Sequence, residues 1–295
     1  MYGKILVPLD GSMLSEGVLP YVRTLARGMS LPIELLRVRD PLSGTPDAPF
    51  GQGGEYLVEL ASSLAGFADV KCRTEVGDPA RTIVDLAGAQ PNTLIALATH
   101  GTSGIQRWLL GSVAEKVWHA ATNDLLLVRP GDGDTRSEAR LNTVLVPLDG
   151  SELAEKVLPT VARLAATLSL TVVLVRVVLR VNIGVPDAYL PLFGMNPPMQ
   201  NQIWAQESLA ASRYLNGKEE QLRAAGLAGV SSLLIEGHAG GAAAEIIDLA
   251  HETPNELVAM STHGQSGLGR WLIGSVTERV VRHSNRPVLV IRSRS

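Results

Sequence analysis

The sequence predicts an α/β protein with two doubly wound parallel sheets, each covered by helices on both faces. Short apolar runs alternate with segments of helical periodicity, a pattern typical of βαβ units, and this pattern occurs twice in 295 residues. Residues 4–26 and 143–165 share 15 identities over 23 positions, and residues 98–115 and 261–278 share 12 over 18. The chain is therefore a tandem duplication, and each copy is long enough to bury its own core.

Each copy begins with a strand and a helix. The first strand is predicted at Ile5–Pro8, and Ser12 favours a helix start because its hydroxyl can accept a hydrogen bond from a free backbone amide. The apolar residues that follow recur at helical spacing, namely Leu14, Val18, Val22 and Leu25. We expect Pro20 and its counterpart Pro159 to kink this helix.

The remaining elements follow in the order expected for βαβ units, which gives five strands in each copy. Strands are predicted at Glu34–Val38, Val70–Glu75, Thr93–Ala98 and Leu125–Arg129 in the first copy, and at Val172–Val178, Ser231–Glu236, Leu257–Met260 and Pro287–Arg292 in the second. Helices are predicted over 81–88 and 243–251. We expect the two copies to pair through their last strands, because edge strands favour pairing.

The duplication divides the chain into domains at residues 1–130 and 141–295, joined by a linker at 131–140. The linker is short, polar and glycine-rich, which is typical of a flexible connection. The second copy is 24 residues longer, and most of the addition lies near 179–205, where proline and bulky apolar residues are frequent. We expect this insert to offer a contact surface to a protein partner or to a second copy of the chain.

The composition is that of a globular protein and does not favour nucleic-acid or membrane partners. Hydrophobic residues make up 45% of the chain, charged residues 19%, and the net charge is −3, whereas nucleic-acid binding needs clustered Lys and Arg. The most apolar run, Leu170–Val181, contains two arginines and is shorter than the roughly 20 residues that span a bilayer. Cys72 is the only cysteine, so no disulfide forms within the chain. We expect a cytoplasmic location.

Residues suited to bind a ligand follow the first and fourth strands of each copy. Doubly wound sheets bind ligands beyond the carboxyl ends of the strands, where the strand order reverses. Asp10 and Asp149 follow the first strands, and a loop of the form Gly, nine residues, Gly-Ser follows each fourth strand and leads into a helix. Glycines allow close backbone approach, and the amides at a helix start bind anions. The loop therefore favours a phosphate group.

A simpler interpretation of these loops needs no ligand. Ser112 with Glu115, and Ser275 with Glu278, match the capping box that closes a helix start. Both copies also keep Thr-His-Gly and a further loop glycine, which capping does not require. The additional residues favour the ligand interpretation.

Four aromatic side chains of the loops have alternative interpretations as well. His100 and His263 are candidate ligand contacts, although a lone loop histidine is more often solvated or bonded to backbone. Trp108 and Trp271 are interpreted as packing residues rather than as stacking platforms for a base.

The VPLDGS start, the Gly-nine-Gly-Ser loop followed by Val-x-Glu, and the closing LLLVRP and PVLVIRS strands resemble the universal stress protein family in its tandem form. The resemblance covers nearly the whole chain and implies two Rossmann-like, adenine nucleotide alpha hydrolase-like domains, each with five parallel strands. The nucleotide-binding branch of the family has the pattern GxxG, nine residues, then Gly-Ser or Gly-Thr, and holds ATP with backbone amides. This sequence departs from the pattern at Ala98 and Ser261, which replace the first glycine.

Carried over by position, the resemblance implies that each copy binds ATP or another adenine nucleotide, with or without Mg. The implied binding residues are Pro8, Asp10, Val38, Ala98, His100, Gly101, Gly111, Ser112 and Val113 in the first copy, and Pro147, Asp149, Val177, Ser261, His263, Gly264, Gly274, Ser275 and Val276 in the second. The two aspartates would lie at the adenosine or metal edge, although an Asp-Gly turn can also simply order its own backbone. Arg37 and Arg176 are interpreted as surface charges.

The motifs favour nucleotide binding over catalysis. The Walker-type loop with its lysine, GxSxG and HExxH are absent from the sequence, and fast phosphoryl transfer needs a positioned base and charge clamps. We predict a stress-response or signalling protein, homodimeric and not an enzyme, whose conformation or assembly depends on ATP. The alternatives are an interaction scaffold with vestigial nucleotide sites and, last, a nucleotide-dependent enzyme.

Overall fold

The computed structural model describes residues 2–40, 54–99, 110–130, 135–179, 197–238, 240–262 and 274–293. The first half contains β1 (Lys4–Pro8), α1 (Met13–Glu16), α2 (Leu19–Met29), β2 (Ile33–Arg39), α3 (Gly54–Leu64), β3 (Val70–Val76), α4 (Pro79–Gly88), β4 (Thr93–Ala98), α5 (Ser112–Ala120) and β5 (Leu125–Val128). The second half contains β6 (Thr143–Pro147), α6 (Glu152–Glu155), α7 (Leu158–Leu168), β7 (Thr171–Leu179), α8 (Pro197–Ala224), β8 (Val230–Gly237), α9 (Gly241–Glu252), β9 (Glu256–Thr262), α10 (Ser275–His283) and β10 (Val288–Arg292). Every strand predicted from the sequence is present.

All the strands join one sheet in the order β3-β2-β1-β4-β5-β10-β9-β6-β7-β8. Within each half the strands are parallel, and the strand order reverses beside β1 and β6, as a doubly wound sheet requires. The halves meet at β5 and β10, which pair antiparallel with Leu126 opposite Leu289. The prediction that the two copies pair through their last strands is confirmed.

Helices cover both faces of the sheet, because alternate residues of each strand point to opposite sides. Along β1, Ile5 and Val7 are buried in the core that also contains residues of α2, α3 and their counterparts α7 and α8. Leu6, between them, is buried in the other core, with α4, α5, α9 and α10. The predicted fold class is therefore confirmed.

The prediction that Pro20 and Pro159 kink a helix is wrong. The chain forms two separate helices in each half, and the proline lies in the first turn of the second one. A proline is tolerated there because the amides of a first helical turn have no acceptor within the helix. The first helix of each pair, α1 or α6, is therefore short and points the chain away from the strand end before the longer helix begins.

Residues 135–141 run along a groove between the two halves instead of standing free. The hydroxyl of Thr24 donates to the carbonyl of Ala139 at 2.7 Å, and the amide of Ala139 donates to Pro20 at 3.0 Å. Arg23, only 1% exposed, donates to the carbonyl of Thr135. The sequence predicts a flexible linker here, whereas the described part of it is held by α2.

The insert predicted near 179–205 lies partly in α8. Residues 180–196 are outside the described residues, and 197–205 form the first turns of that helix, which has 28 residues against 11 in its counterpart α3. Across the described chain, no helix has both the length and the apolar composition needed to cross a bilayer.

Candidate functional site

The carboxyl ends of β1 and β4 bring together several of the residues predicted to bind a ligand. The two strands pair side by side, so Pro8, Asp10 and Ala98 lie at the same edge of the sheet. The start of α5 is tied to this edge because the amide of Gly111 donates to the carbonyl of Thr99 at 2.6 Å. The second half repeats the arrangement with Pro147, Asp149, Ser261 and Gly274 at the ends of β6 and β9 and the start of α10.

The starts of α5 and α10 are not closed by side chains. Gly111 and Gly274 are the N-cap residues, and neither helix has a side-chain cap. The capping-box interpretation is therefore wrong, because Ser112 and Ser275 lie inside the helix, one residue too late to cap it. The first amides of a helix have no partner within it and carry the positive end of the helix dipole, so these two starts are suited to an anion.

The valines predicted to border the ligand lie on the same face of the sheet as these helix starts. Val38 and Val113 are half-buried and pack against the core beneath α4 and α5. Val177 and Val276 occupy the matching positions in the second half. In each half an apolar border and a helix start therefore belong to one face.

Asp10 and Asp149 order the turns in which they lie. Oδ1 of Asp10 accepts from the backbone amide of Ser12 at 2.9 Å, and Oδ1 of Asp149 accepts from the amide of Ser151 at 2.9 Å. Burial alone would raise the pKa of Asp149, but the hydrogen bonds from Ser151 and the charge of Arg176 lower it overall. The turn interpretation therefore describes one oxygen of each carboxylate, and both side chains remain exposed at the strand ends.

Arg37 belongs to a cluster that the sequence did not indicate. Its guanidinium lies 5.6 Å from the ring centre of Tyr56, and the Tyr56 hydroxyl donates to Glu16 at 2.9 Å. A Cβ at Gly11 would lie 2.6 Å from Nη1 of Arg37, so the arginine covers the turn that follows Asp10. Burial, and then the charge of Glu16, raise the pKa of Tyr56. Arg37 is half-buried at the end of β2, and its guanidinium lies between a turn and an aromatic ring.

The second half contains the same cluster with one additional charge. Arg176 lies 5.2 Å from the ring centre of Tyr214, whose hydroxyl donates to Glu155 at 3.0 Å. Lys218 donates to Glu155 at 2.6 Å, and no lysine occupies the corresponding position of α3, where Leu60 stands. The two tyrosines could have indicated from the sequence that the cluster is repeated. Because of the insert, however, they are 158 residues apart, whereas the two glutamates are 139 residues apart.

Several residues of the predicted site lie outside the described residues, and the described part of the chain contains no cluster of metal-binding side chains. His100, Gly101, His263 and Gly264 lie in the loops that the structure does not describe. In the described ranges, no group of three or more acidic, histidine or cysteine side chains could hold a metal ion. The indirect metal contact predicted for Asp10 and Asp149 thus stays a prediction.

The chain is similar to proteins of one family over almost its whole length. The model of the universal stress protein family matches residues 1–129 and again 141–292. A universal stress protein of Mycolicibacterium smegmatis is 27% identical over 312 residues, which cover 99% of this chain and 98% of that protein. A universal stress protein of Methanocaldococcus jannaschii is 30% identical over 141 residues, 44% of this chain and 83% of that protein.

A solved structure that matches the whole chain shows the same fold. The crystal structure of a universal stress protein from Archaeoglobus fulgidus matches 99% of both chains with a TM-score of 0.72 at 21% identity. A universal stress protein in complex with cAMP matches 44% of this chain and 99% of its own, with a TM-score of 0.36 at 25% identity. Because the family model matches both copies, the chain belongs to the universal stress protein family, with the family domain present twice.

Proposed function

We propose that the protein binds ATP or another adenine nucleotide in each half, at the carboxyl ends of the strands. The proposal rests on one repeated observation: a helix with a glycine N-cap and no side-chain cap starts beside the end of the fourth strand. Backbone amides at such a start would hold the phosphates, and the half-buried valines on the same face would border the adenine. The exposed carboxylates of Asp10 and Asp149 would meet a nucleotide-bound Mg from the strand ends.

In this proposal the nucleotide acts as a signal and is turned over slowly or not at all. Occupancy would change the conformation or the assembly of the chain, and thereby its contacts with a protein partner that the sequence does not identify. A homodimer, a cytoplasmic location and domain boundaries at 130 and 141 remain predictions of the same kind.

The first experiment measures nucleotide in the purified protein. The protein is denatured, the released small molecules are separated by chromatography, and adenine nucleotide is quantified per chain. Two nucleotides per chain are expected if both halves bind, and one if the halves have diverged. Protein freed of nucleotide is then titrated by calorimetry with ATP and Mg, and with cAMP for comparison.

Charge-reversed helix starts test the location of the sites. Ser112 is exposed at the first position of α5, where a carboxylate is favourable for the helix but repels phosphate. We expect Ser112→Glu to remove one ATP per chain and Ser275→Glu to remove the other, whereas Ser112→Gln, of equal size and no charge, retains binding. Equal ATP binding by Ser112→Glu and Ser112→Gln would refute the location.

An interaction scaffold is the second candidate function, and one observation favours it. The part of α8 that extends beyond its counterpart α3 exposes Ile203 and Leu209, which are 37% and 52% accessible. Apolar residues kept at the surface of a helix are suited to contact another protein. If no nucleotide is released and ATP with Mg does not bind, the scaffold interpretation replaces the nucleotide one.

A further inference from the structure

A cavity of about 260 Å³ lies between the two halves, and none of its described lining residues belongs to the proposed nucleotide sites. The first half contributes Tyr2, Asn92 and Asp124, and the second contributes the helices α6–α7 and the end of β10. The helix that lines it, α7, packs on the face of the sheet opposite to α10. The cavity is therefore separate from the helix start at Gly274.

The charges around this cavity are mostly positive. Lys156, Arg163 and Arg292 line it, and Asp124 is the one carboxylate among the described lining residues. Both oxygens of Asp124 are engaged, because Oδ2 accepts from the Tyr2 hydroxyl at 2.9 Å and Oδ1 accepts from the amide of Arg292 at 2.8 Å. The carboxylate thus joins the two halves through two neutral donors and keeps its negative charge beside the cations.

Two of these cations, Lys156 and Arg163, line the cavity and have N–H groups available for a ligand. Lys156 donates to the hydroxyl of Ser293 at 2.5 Å, and an ammonium group has three hydrogens. Arg163 makes no side-chain hydrogen bond or ion pair with any part of the chain that the structure describes. The Thr160 hydroxyl, one turn before Arg163 on α7, adds a neutral donor.

Arg292 lines the cavity at the end of β10, but its guanidinium lies on the other face of the sheet, in the core that contains Trp118. It is 3% exposed, and its guanidinium lies 5.2 Å from the ring centre of Trp118 while donating to the Trp118 carbonyl. Burial lowers its pKa to about 10, against the opposing effect of Asp124. This charge therefore does not lie on the side of the sheet from which Lys156 and Arg163 line the cavity.

The duplication provides an internal comparison for the cavity. The equivalent groove on the other side of the molecule holds residues 135–141 of the chain itself, which line a remaining cavity of about 310 Å³. There, the positions that match Lys156, Thr160 and Arg163 are Gly17, Tyr21 and Thr24. The groove beside α2 therefore holds a peptide segment. The groove beside α7 holds no described segment of the chain and has two cations at the matching positions.

We propose that the cavity is a binding site for a phosphate-type dianion held by Lys156, Arg163 and the Thr160 hydroxyl. The three donors come from one short stretch of chain, namely the residue that follows α6 and two residues of α7. Charge-assisted hydrogen bonds to oxyanions are the strong ones, and the volume admits a single phosphate group with water rather than a nucleotide in an extended conformation. The dianion is either free phosphate or the phosphoryl group of a small monoester.

The site is tested by calorimetric titration with inorganic phosphate and, separately, with a sugar monophosphate. Both titrations use the Ser112→Glu, Ser275→Glu background, so that phosphate at the two helix starts does not contribute and failure of the nucleotide proposal does not affect the result. We expect one phosphate per chain and a loss of affinity of tenfold or more in the Lys156→Gln, Arg163→Gln double variant. Tighter binding of the sugar phosphate would identify a monoester as the ligand, and tighter binding of inorganic phosphate would identify the free ion.

Two further variants separate a specific site from a general effect of charge. Arg213→Gln removes one positive charge from an exposed position on α8, outside the cavity, and should leave the phosphate affinity unchanged. Arg163→Lys keeps the charge and should retain most of the binding. The proposal is overturned if the double variant binds phosphate as the parent does, or if neither probe binds the parent.

Discussion

At the scale of single residues, Ser261 occupies the position of a family glycine without obstructing the helix start. Its hydroxyl donates to the carbonyl of Leu153 on α6. Alternation along β9 directs this side chain to the face opposite to α10, together with Ala259. The same alternation along β4 places Ala98 on the side of α1, so neither side chain points toward the amides that we propose to hold phosphate.

Glu256, the first residue of β9, is a buried carboxyl group outside the proposed nucleotide site. It is 1% exposed and faces the groove that holds residues 135–141. Burial raises its pKa to about 8, and the Thr253 hydroxyl and the charge of Arg286 oppose this rise only partly. The group is therefore protonated in the folded protein at pH values at which it is ionised in the unfolded chain.

Replacement of this carboxyl group changes how stability depends on pH. The folded protein binds a proton that the unfolded chain releases near pH 4.5, so this residue makes stability fall as pH rises from about 4.5 to 8. We expect Glu256→Gln to be more stable than the parent at pH 9, by on the order of 1–2 kcal/mol after allowing for solvent screening. The advantage should shrink toward pH 5 in urea titrations. Glu252→Gln, at an exposed position on α9, is the control, and a constant difference across the pH range would contradict the assignment.

At the scale of elements, α3 and α8 give the two strand ends different charges. In the first half, Asp10 and Glu16 surround Arg37 alone. In the second half, the equivalent acids surround Arg176 and also Lys218 of α8, which is bonded to Glu155. Among the residues that the structure describes, the second edge therefore has one more positive charge, and it should attract a nucleotide anion more strongly.

This difference predicts two unequal affinities for ATP. We expect the affinity of the second half for ATP to be higher by roughly two- to fivefold at low salt. One additional, partly screened positive charge changes a binding constant by about this factor. Lys218→Leu, which installs the residue of the first half, should bring the two affinities together in a calorimetric titration. Lys71→Leu, on the exposed strand β3, is the control. Two equal sites in the parent would rule the effect out.

Strands and helices were more predictable from the sequence than the side-chain clusters. Apolar runs such as Thr93–Ala98 are buried on both faces. Such runs can be recognised from the sequence alone, without knowledge of the tertiary structure. The break between α1 and α2 was missed because Pro20 fits both a kink and a helix start. The Arg37 cluster was missed because it depends on Tyr56, a residue of α3 that neither repeated block contains. The binding roles of all the site residues stay predictions, and four of these residues, His100, Gly101, His263 and Gly264, lie outside the described structure.

At the scale of the whole molecule, Arg282 connects the two halves at their proposed phosphate helices. It donates to Glu278 one turn earlier on α10 and to Glu115 in the first turn of α5, both at 3.0 Å. Burial would lower the pKa of Arg282, but its bonds to the two glutamates raise it overall. A single guanidinium thus holds the first turns of α5 and α10 together.

Loss of this connection should weaken the contact between the halves. We expect Arg282→Met to destabilise the protein by about 1–2 kcal/mol, because two partly buried glutamates lose their cation and face each other. Arg279→Met, on the same helix, removes a bond to Gly240 within the second half only and serves as the control. Thermal unfolding should become broader or split in the first variant and stay a single transition in the second. Equal effects of the two substitutions would contradict a role for Arg282 between the halves.

At the antiparallel seam of β5 and β10, the two halves need not be identical, as the subunits of a symmetric dimer must be. In a dimer of identical chains, each residue at the two-fold axis occurs twice, so a favourable change on one side is imposed on the other. Here the halves are covalently joined and their sequences differ, so Arg282 stands opposite a position held by His119 and Lys156 opposite one held by Gly17. Each side of the seam can therefore evolve different side chains, and a mutation that is favourable in one half does not impose the same change on the other.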